Sequence, residues 1–138
     1  LFDAGVYRSL RPAGPLDRPE EISGAALEGL VAQHLRAWIG YGTGKNDLFY
    51  WRTRSGVEVD FVVYGSSGLW ALEVKNAANV RAEDLRGLRA FGEDYPRSTR
   101  VLLYRGSRRE RRDDVWVVPV AEFLRQLRPN APVWPLVT

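Results

Sequence analysis

The sequence predicts a single α/β (α+β) domain built on a mixed central sheet of about five strands flanked by helices. Three observations predict it. Apolar residues recur at helical spacing over 23–39 and again over 82–95, while between them lie three short alternating segments separated by Gly- and Ser-containing turns. No internal repeat or low-complexity linker divides the 138 residues. A chain of this length buries roughly 68% of its unfolded surface, enough for one core. The order helix, three strands, helix, two strands, helix completes the assignment.

Each element has a local reason. Gly5, Pro12, Gly14, Pro15 and Pro19 punctuate residues 1–21 and predict a short helix or turn followed by an irregular lead-in. Ser23 is a candidate N-cap for a helix to Ile39, with Leu27, Leu30, Val31, Leu35 and Trp38 along its stripe. Gly40 to Asn46 breaks the pattern. Strands follow at Leu48–Arg52, Val57–Tyr64 and Leu69–Lys75, joined through Thr53-Arg54-Ser55-Gly56 and Gly65-Ser66-Ser67-Gly68, both of hairpin length. A second helix over Ala82–Tyr95 turns Leu85, Leu88 and Phe91 inward and stops at Pro96. Arg100–Tyr104 and Val115–Val118 read as strands around a charged loop, Gly106 to Asp114. A helix over Val120–Arg128 and an extended tail from Pro129 to Thr138 close the chain.

Composition narrows the function classes. No apolar run approaches the ~18 residues of a membrane span, and no segment reads as a signal peptide. The absence of cysteine excludes a disulfide framework and thiolate metal sites, and it fits a cytoplasmic protein. One histidine, His34, argues against a zinc site built on imidazoles. The net charge of +3 is compatible with nucleic acid but too small for a strong nonspecific grip on it. The absence of methionine and the opening Leu1-Phe2-Asp3 read as a piece of a longer polypeptide.

The chemistry concentrates in Gly56-Val57-Glu58-Val59-Asp60-Phe61-Val62-Val63 and Leu72-Glu73-Val74-Lys75-Asn76. Residues i and i+2 of a strand share a face, so Glu73 and Lys75 point the same way. Val57, Val59, Phe61 and Val63 form one face of the first segment, and Glu58, Asp60 and Val62 the other. Pairing through the Gly65–Gly68 turn brings Asp60 near Glu73. Two carboxylates and an ammonium on one hairpin suit a divalent cation and a phosphate, because magnesium takes oxygen ligands. The cation polarises a phosphoryl oxygen, and Lys75 steadies the charge that develops there. Eighteen of the twenty basic residues are arginine; the lysines are Lys45 and Lys75. A compact, tunable point charge therefore stands in the charged strand pair. Glu28, at the edge of the first helix's apolar stripe, either approaches this site or reaches solvent or an arginine.

These segments resemble the PD-(D/E)XK, or restriction-endonuclease-like, nuclease superfamily. Its core is a helix, a three-stranded meander, a crossover helix and a further strand. More narrowly, Phe2-Asp3-Ala4-Gly5-Val6, Leu27-Glu28-Gly29-Leu30-Val31, Phe49-Tyr50-Trp51-Arg52 and Glu73-Val74-Lys75 resemble a C-terminal domain of uncharacterised function. That domain stands behind an AAA-type ATPase module in bacteria and archaea. The resemblance implies Asp60 and Glu73 as ligands of Mg2+ (or Mn2+) with the Val74 carbonyl between them. It further implies Lys75 as the catalytic lysine, Glu28 as the acid of the first helix, DNA as substrate and an upstream ATPase as partner. The chain departs from the superfamily's name at Val59, which stands where proline would. Two functions follow: a nuclease, or an inactive nuclease-fold module that docks DNA or a protein for its ATPase.

Other motifs carry less. Gly42-Thr43-Gly44-Lys45 lacks the first glycine, the Ser/Thr and the preceding strand of a phosphate loop. His34 falls beside the helix stripe. Tyr50, Trp51, Arg52 and Arg54 fit either nucleic-acid stacking or sheet core with a solvated rim. The arginines of 105–112 fit phosphate contact, or an exposed hairpin loop given Glu110, Asp113 and Asp114.

Overall fold

In the computed structural model, residues 3–4, 19–66, 68–131 and 133 are described, with side chains from residue 24 onward. A seven-stranded mixed sheet forms the centre. In chain order the elements are β1 (Asp3–Ala4), α1 (Pro19–Tyr41), β2 (Asn46–Arg52), β3 (Glu58–Gly65) and β4 (Gly68–Val74). A 3-10 turn (Ala82–Leu85) then leads into α2 (Arg86–Asp94), followed by β5 (Thr99–Tyr104), β6 (Glu110–Arg112), β7 (Val115–Pro119) and α3 (Val120–Gln126). The sheet order is β1-β2-β3-β4-β5-β7-β6. β2, β3 and β4 form an antiparallel meander. α2 carries the chain across to β5, which runs parallel to β4, and β7 runs parallel to β5.

The two faces of the sheet hold separate cores. Leu27, Val31, Leu35 and Trp38 of α1 and Phe123 of α3 pack on Phe61, Val63, Trp70, Leu72, Val101 and Leu103. On the opposite face, Leu85, Leu88 and Phe91 meet Trp51, Val59, Val62, Ala71, Leu102 and Val117. Both layers exclude water, which is the dominant driving force for this architecture. Among the described residues no helix is long and apolar enough to cross a membrane.

Several boundaries differ from the sequence reading, each for a physical reason. α1 begins at Pro19 rather than beyond Ser23. Proline suits the first helical position. The sheet has two further strands, at its edges. β1 is two residues long, and the rest of the predicted lead-in before residue 19 lies outside the described residues. β6 arises within the loop predicted over 106–114. It pairs Glu110, Arg111 and Arg112 with β7 through a turn in which Asp113 adopts φ 55°. A charged edge strand carries no apolar alternation, and Asp tolerates the left-handed region. The helix predicted over 82–95 opens as a 3-10 turn because Asp84 Oδ2 accepts the Arg81 amide at 2.8 Å. The tail from Pro129 is described only at 129–131 and 133; positions 132 and 134–138 lie outside.

Candidate functional site

The meander is regular except at Asp60. Phe49 pairs with Val62, yet Trp51 pairs with Val59, so Asp60 and Phe61 together face Tyr50. This is a β-bulge. Its effect shows in the packing, where Val59 and Val62 both join the α2-side core while Phe61 joins the α1-side core. The strict alternation predicted from the sequence therefore fails at one residue, and that residue is Asp60.

The same point ends the β3–β4 ladder. Pairing runs from Gly65↔Gly68 to Phe61↔Leu72, and beyond it the Val74 amide donates to Asp60 Oδ2 at 2.9 Å. A side-chain oxygen has replaced a backbone carbonyl. The N–H and C=O of one strand residue point toward the same neighbour, so the Val74 carbonyl is turned to the Asp60 side. The Lys75 amide instead donates to Leu103 of β5 at 2.7 Å.

Glu73 and Lys75 lie on the α2 face. A Cβ placed on Gly87 of α2 would meet Glu73 Oε1 at 3.0 Å and the Glu58 carbonyl at 2.2 Å. Only a bare glycine lets α2 come this close. Burial pushes the Glu73 carboxyl up to about 8, and Asp60, Asp84 and Glu58 push the same way against Lys75. Lys75 Nζ pairs with Asp84 Oδ1 at 3.2 Å. The Asp84 carboxyl itself is held below its ordinary value. Burial opposes that shift, but the Arg81 amide and the Lys75 ammonium outweigh it.

A comparison with family models fixes the classification. The model described as Domain of unknown function (DUF4143) matches residues 23–123. The chain belongs to this family. Nothing matches it among curated proteins or among solved structures. In this DUF4143 domain Glu28, Asp60, Glu73, Lys75 and Asp84 all fall within the matched span.

The DUF4143 fold brings Asp60, Glu73, Val74 and Lys75 together at the end of one ladder. Glu28 belongs to α1, which packs on the opposite face of the sheet. The N-terminal part of α1 does pass the end of β4: a Cβ on Gly24 would lie 3.7 Å from Asn76 Nδ2. Half-buried Glu28 sits one turn further along that side. Two acids of the cluster, Asp84 and Glu58, escape a motif reading. Asp84 left one signal, its position three residues after Arg81, which is cap spacing.

Among the described residues no three His, Cys, Asp or Glu side chains form a ready metal group. Two carboxylates and one backbone carbonyl nevertheless make an all-oxygen donor set of the kind hard cations take. Burial first, and the neighbouring carboxylates of Asp60, Asp84 and Glu58 next, disfavour a bare negative charge on Glu73, with Lys75 opposing them.

The remaining motifs resolve simply. His34 Nδ1 donates to the Leu30 carbonyl at 2.8 Å, a contact within α1. Trp51 is buried against Phe91, whereas Arg52 and Arg54 are exposed at the rim.

Proposed function

We propose that this domain hydrolyses phosphodiester bonds in nucleic acid, DNA above all, with Mg2+ or Mn2+, in the manner of the PD-(D/E)XK nucleases. The observation that carries the reading is the convergence of Asp60, Glu73, Val74 and Lys75 where the β3–β4 ladder ends. The element order supports it as well: a helix, a three-stranded meander, a crossover helix and a parallel strand. The DUF4143 domain is often found at the C-terminus of AAA-type ATPases, which supports coupling to an upstream ATPase module.

In this reading Asp60, Glu73 and the Val74 carbonyl hold the cation. When bound, it supplies Lewis-acid polarisation of a phosphoryl oxygen. Asp60 divides its work, since one oxygen also fixes the Val74 amide and so orients the strand end. Lys75 sets a positive charge beside the reacting phosphate, on the same face as Glu73. Asp84 holds that ammonium in place through its 3.2 Å contact. Glu28 approaches from the α1 side.

One observation favours a second reading. The Lys75 ammonium is already engaged by Asp84, as in a site that keeps its fold but binds DNA or a protein for the ATPase without cutting. A cleavage assay separates the two. Wild type is incubated with single-stranded, duplex and branched DNA in magnesium or manganese, beside Asp60→Asn and Lys75→Ala. Cation-dependent cleavage lost in both variants supports the nuclease. Intact DNA in every lane supports the docking module.

A further inference from the structure

The arginine-rich run 105–112 is a charged motif that the candidate site does not use. Its neighbouring acids are drawn into ion pairs. Asp113 holds Arg89 at 2.9 Å, Asp114 holds the buried Arg100 at 2.9 Å, and Glu122 holds Arg109 at 3.4 Å. Glu110 pairs with Arg112 at 3.3 Å. The exposed side chain of Arg108 has no partner among the described residues.

The loop that presents Arg108 is a built one. The Tyr104 hydroxyl donates to the Arg108 carbonyl, and a Cβ on Gly106 would strike the Tyr104 ring at 2.1 Å. On the other side Arg112 Nη1 donates to the Val80 carbonyl at 2.8 Å. Between these ties lies a polar cavity of about 360 Å³ lined by Asn79, Ser107, Arg108, Glu110 and Arg112.

Its position is telling. β4, β5 and β7 are parallel, so Val74, Tyr104 and Pro119 end at one edge of the sheet. Ligands of open α/β sheets bind outside that carboxyl edge. The Arg105 amide donates to the Ala77 carbonyl at 2.9 Å, which joins this loop to the segment leaving Lys75. Ala78, in the cavity wall, is three residues beyond Lys75. Three residues reach at most about 11 Å. The Ala77 amide donates back to the Lys75 carbonyl at 2.9 Å, which shortens that reach, so a strand stacked at ~3.4 Å per nucleotide covers it in three steps or fewer.

We propose that this cavity is a second phosphate-binding position, which holds the sugar–phosphate backbone within about three nucleotides of the linkage at Lys75; it rests on the nucleic-acid reading above. The Arg108 fork matches two phosphate oxygens, and the Ser107 hydroxyl and Asn79 amide add donors. The Glu110 carboxylate, in the same wall, pairs with Arg112 at 3.3 Å. Such a position grips the strand without reading its bases.

The test is equilibrium binding of the full chain to a short fluorescein-labelled oligonucleotide, titrated in EDTA at several salt concentrations. Arg108→Ala weakens binding several-fold and lowers the log K against log salt slope by about 0.7–0.9. Arg108→Lys keeps most of the slope but not the affinity. Arg97→Ala, beyond the opposite edge of the sheet, binds like wild type. The proposal is overturned if Arg108→Ala binds like wild type, if Arg97→Ala loses as much, or if wild type does not bind. Arg108-dependent capture of a polyglutamate peptide in place of the oligonucleotide also overturns it. Cation-dependent cleavage with unchanged Arg108→Ala binding sinks the cavity alone. Arg108-dependent binding without cleavage sinks the catalytic reading and leaves the cavity standing.

Discussion

The Lys75 ammonium lies 3.2 Å from Asp84 Oδ1, while Oδ2 of the same carboxylate accepts the Arg81 amide at 2.8 Å. One aspartate thus caps the crossover and holds the lysine of the strand before it. Asp84→Ala loses both contacts: about 1 kcal/mol for the cap and at most about 1 kcal/mol for a partly exposed pair. Asp84→Asn keeps an acceptor for Arg81 and loses only the pair. Urea denaturation of the two variants separates these contributions, with Asp84→Ala the less stable.

Glu73 makes stability depend on pH with a definite sign. Its carboxyl keeps a proton to about pH 8 in the folded chain and releases it near 4.5 otherwise. Between those values the native state binds more protons, so stability is full at the acidic end and falls as pH rises. The slope reaches about 1.4 kcal/mol per pH unit. Denaturation midpoints of wild type across this window should fall accordingly, and those of Glu73→Gln should lack that component.

Occupation of the proposed metal position should reverse that loss. At pH 8, manganese or magnesium raises the melting temperature of wild type, by an amount equivalent to about 2.7 kcal/mol at a hundredfold excess over Kd. Asp60→Asn and Glu73→Gln flatten the response in differential scanning fluorimetry. An unchanged wild-type melting curve in both cations would rule the cation out of the proposed site.

Gly87→Ala tests how closely α2 must approach the site. Alanine favours a helix over glycine by up to about 1 kcal/mol. Here its Cβ meets the Glu58 carbonyl at 2.2 Å, a backbone atom with no easy retreat. Overpacking of this kind costs about 1–3 kcal/mol, so the variant melts lower than wild type. A neutral or raised melting temperature would show that α2 can shift freely.

Much of this was legible in the sequence because strands announce themselves by alternation and turns by glycine. Val57 to Val63 and Leu69 to Lys75 with a glycine-bounded turn were enough to place Asp60, Glu73 and Lys75 at one strand end. The bulge was not legible, since Val57, Val59, Phe61 and Val63 alternate perfectly whether or not the pairing skips a residue. Only the partner strand, where Tyr50 faces two residues, reveals it. Asp84 was hidden for a different reason: an acid in a helical turn looks ordinary in sequence until the crossover sets it over Lys75. β6 was hidden because Glu110-Arg111-Arg112 has no apolar face, and its pairing rests on the neighbouring β7.

The bulge has an arithmetic of its own. Without Asp60, Val59, Phe61, Val62 and Val63 would alternate between the two cores in unbroken parity, with Phe61 opposite Tyr50 and every other pairing of the strand unchanged. The sheet needs one residue fewer than the gene encodes. Asp60 is the extra residue of the bulge, accommodated by the sheet and placed in neither core. A single-codon deletion there would delete a carboxylate and leave a more regular strand, so chemistry at this position can be gained or lost without rebuilding the fold.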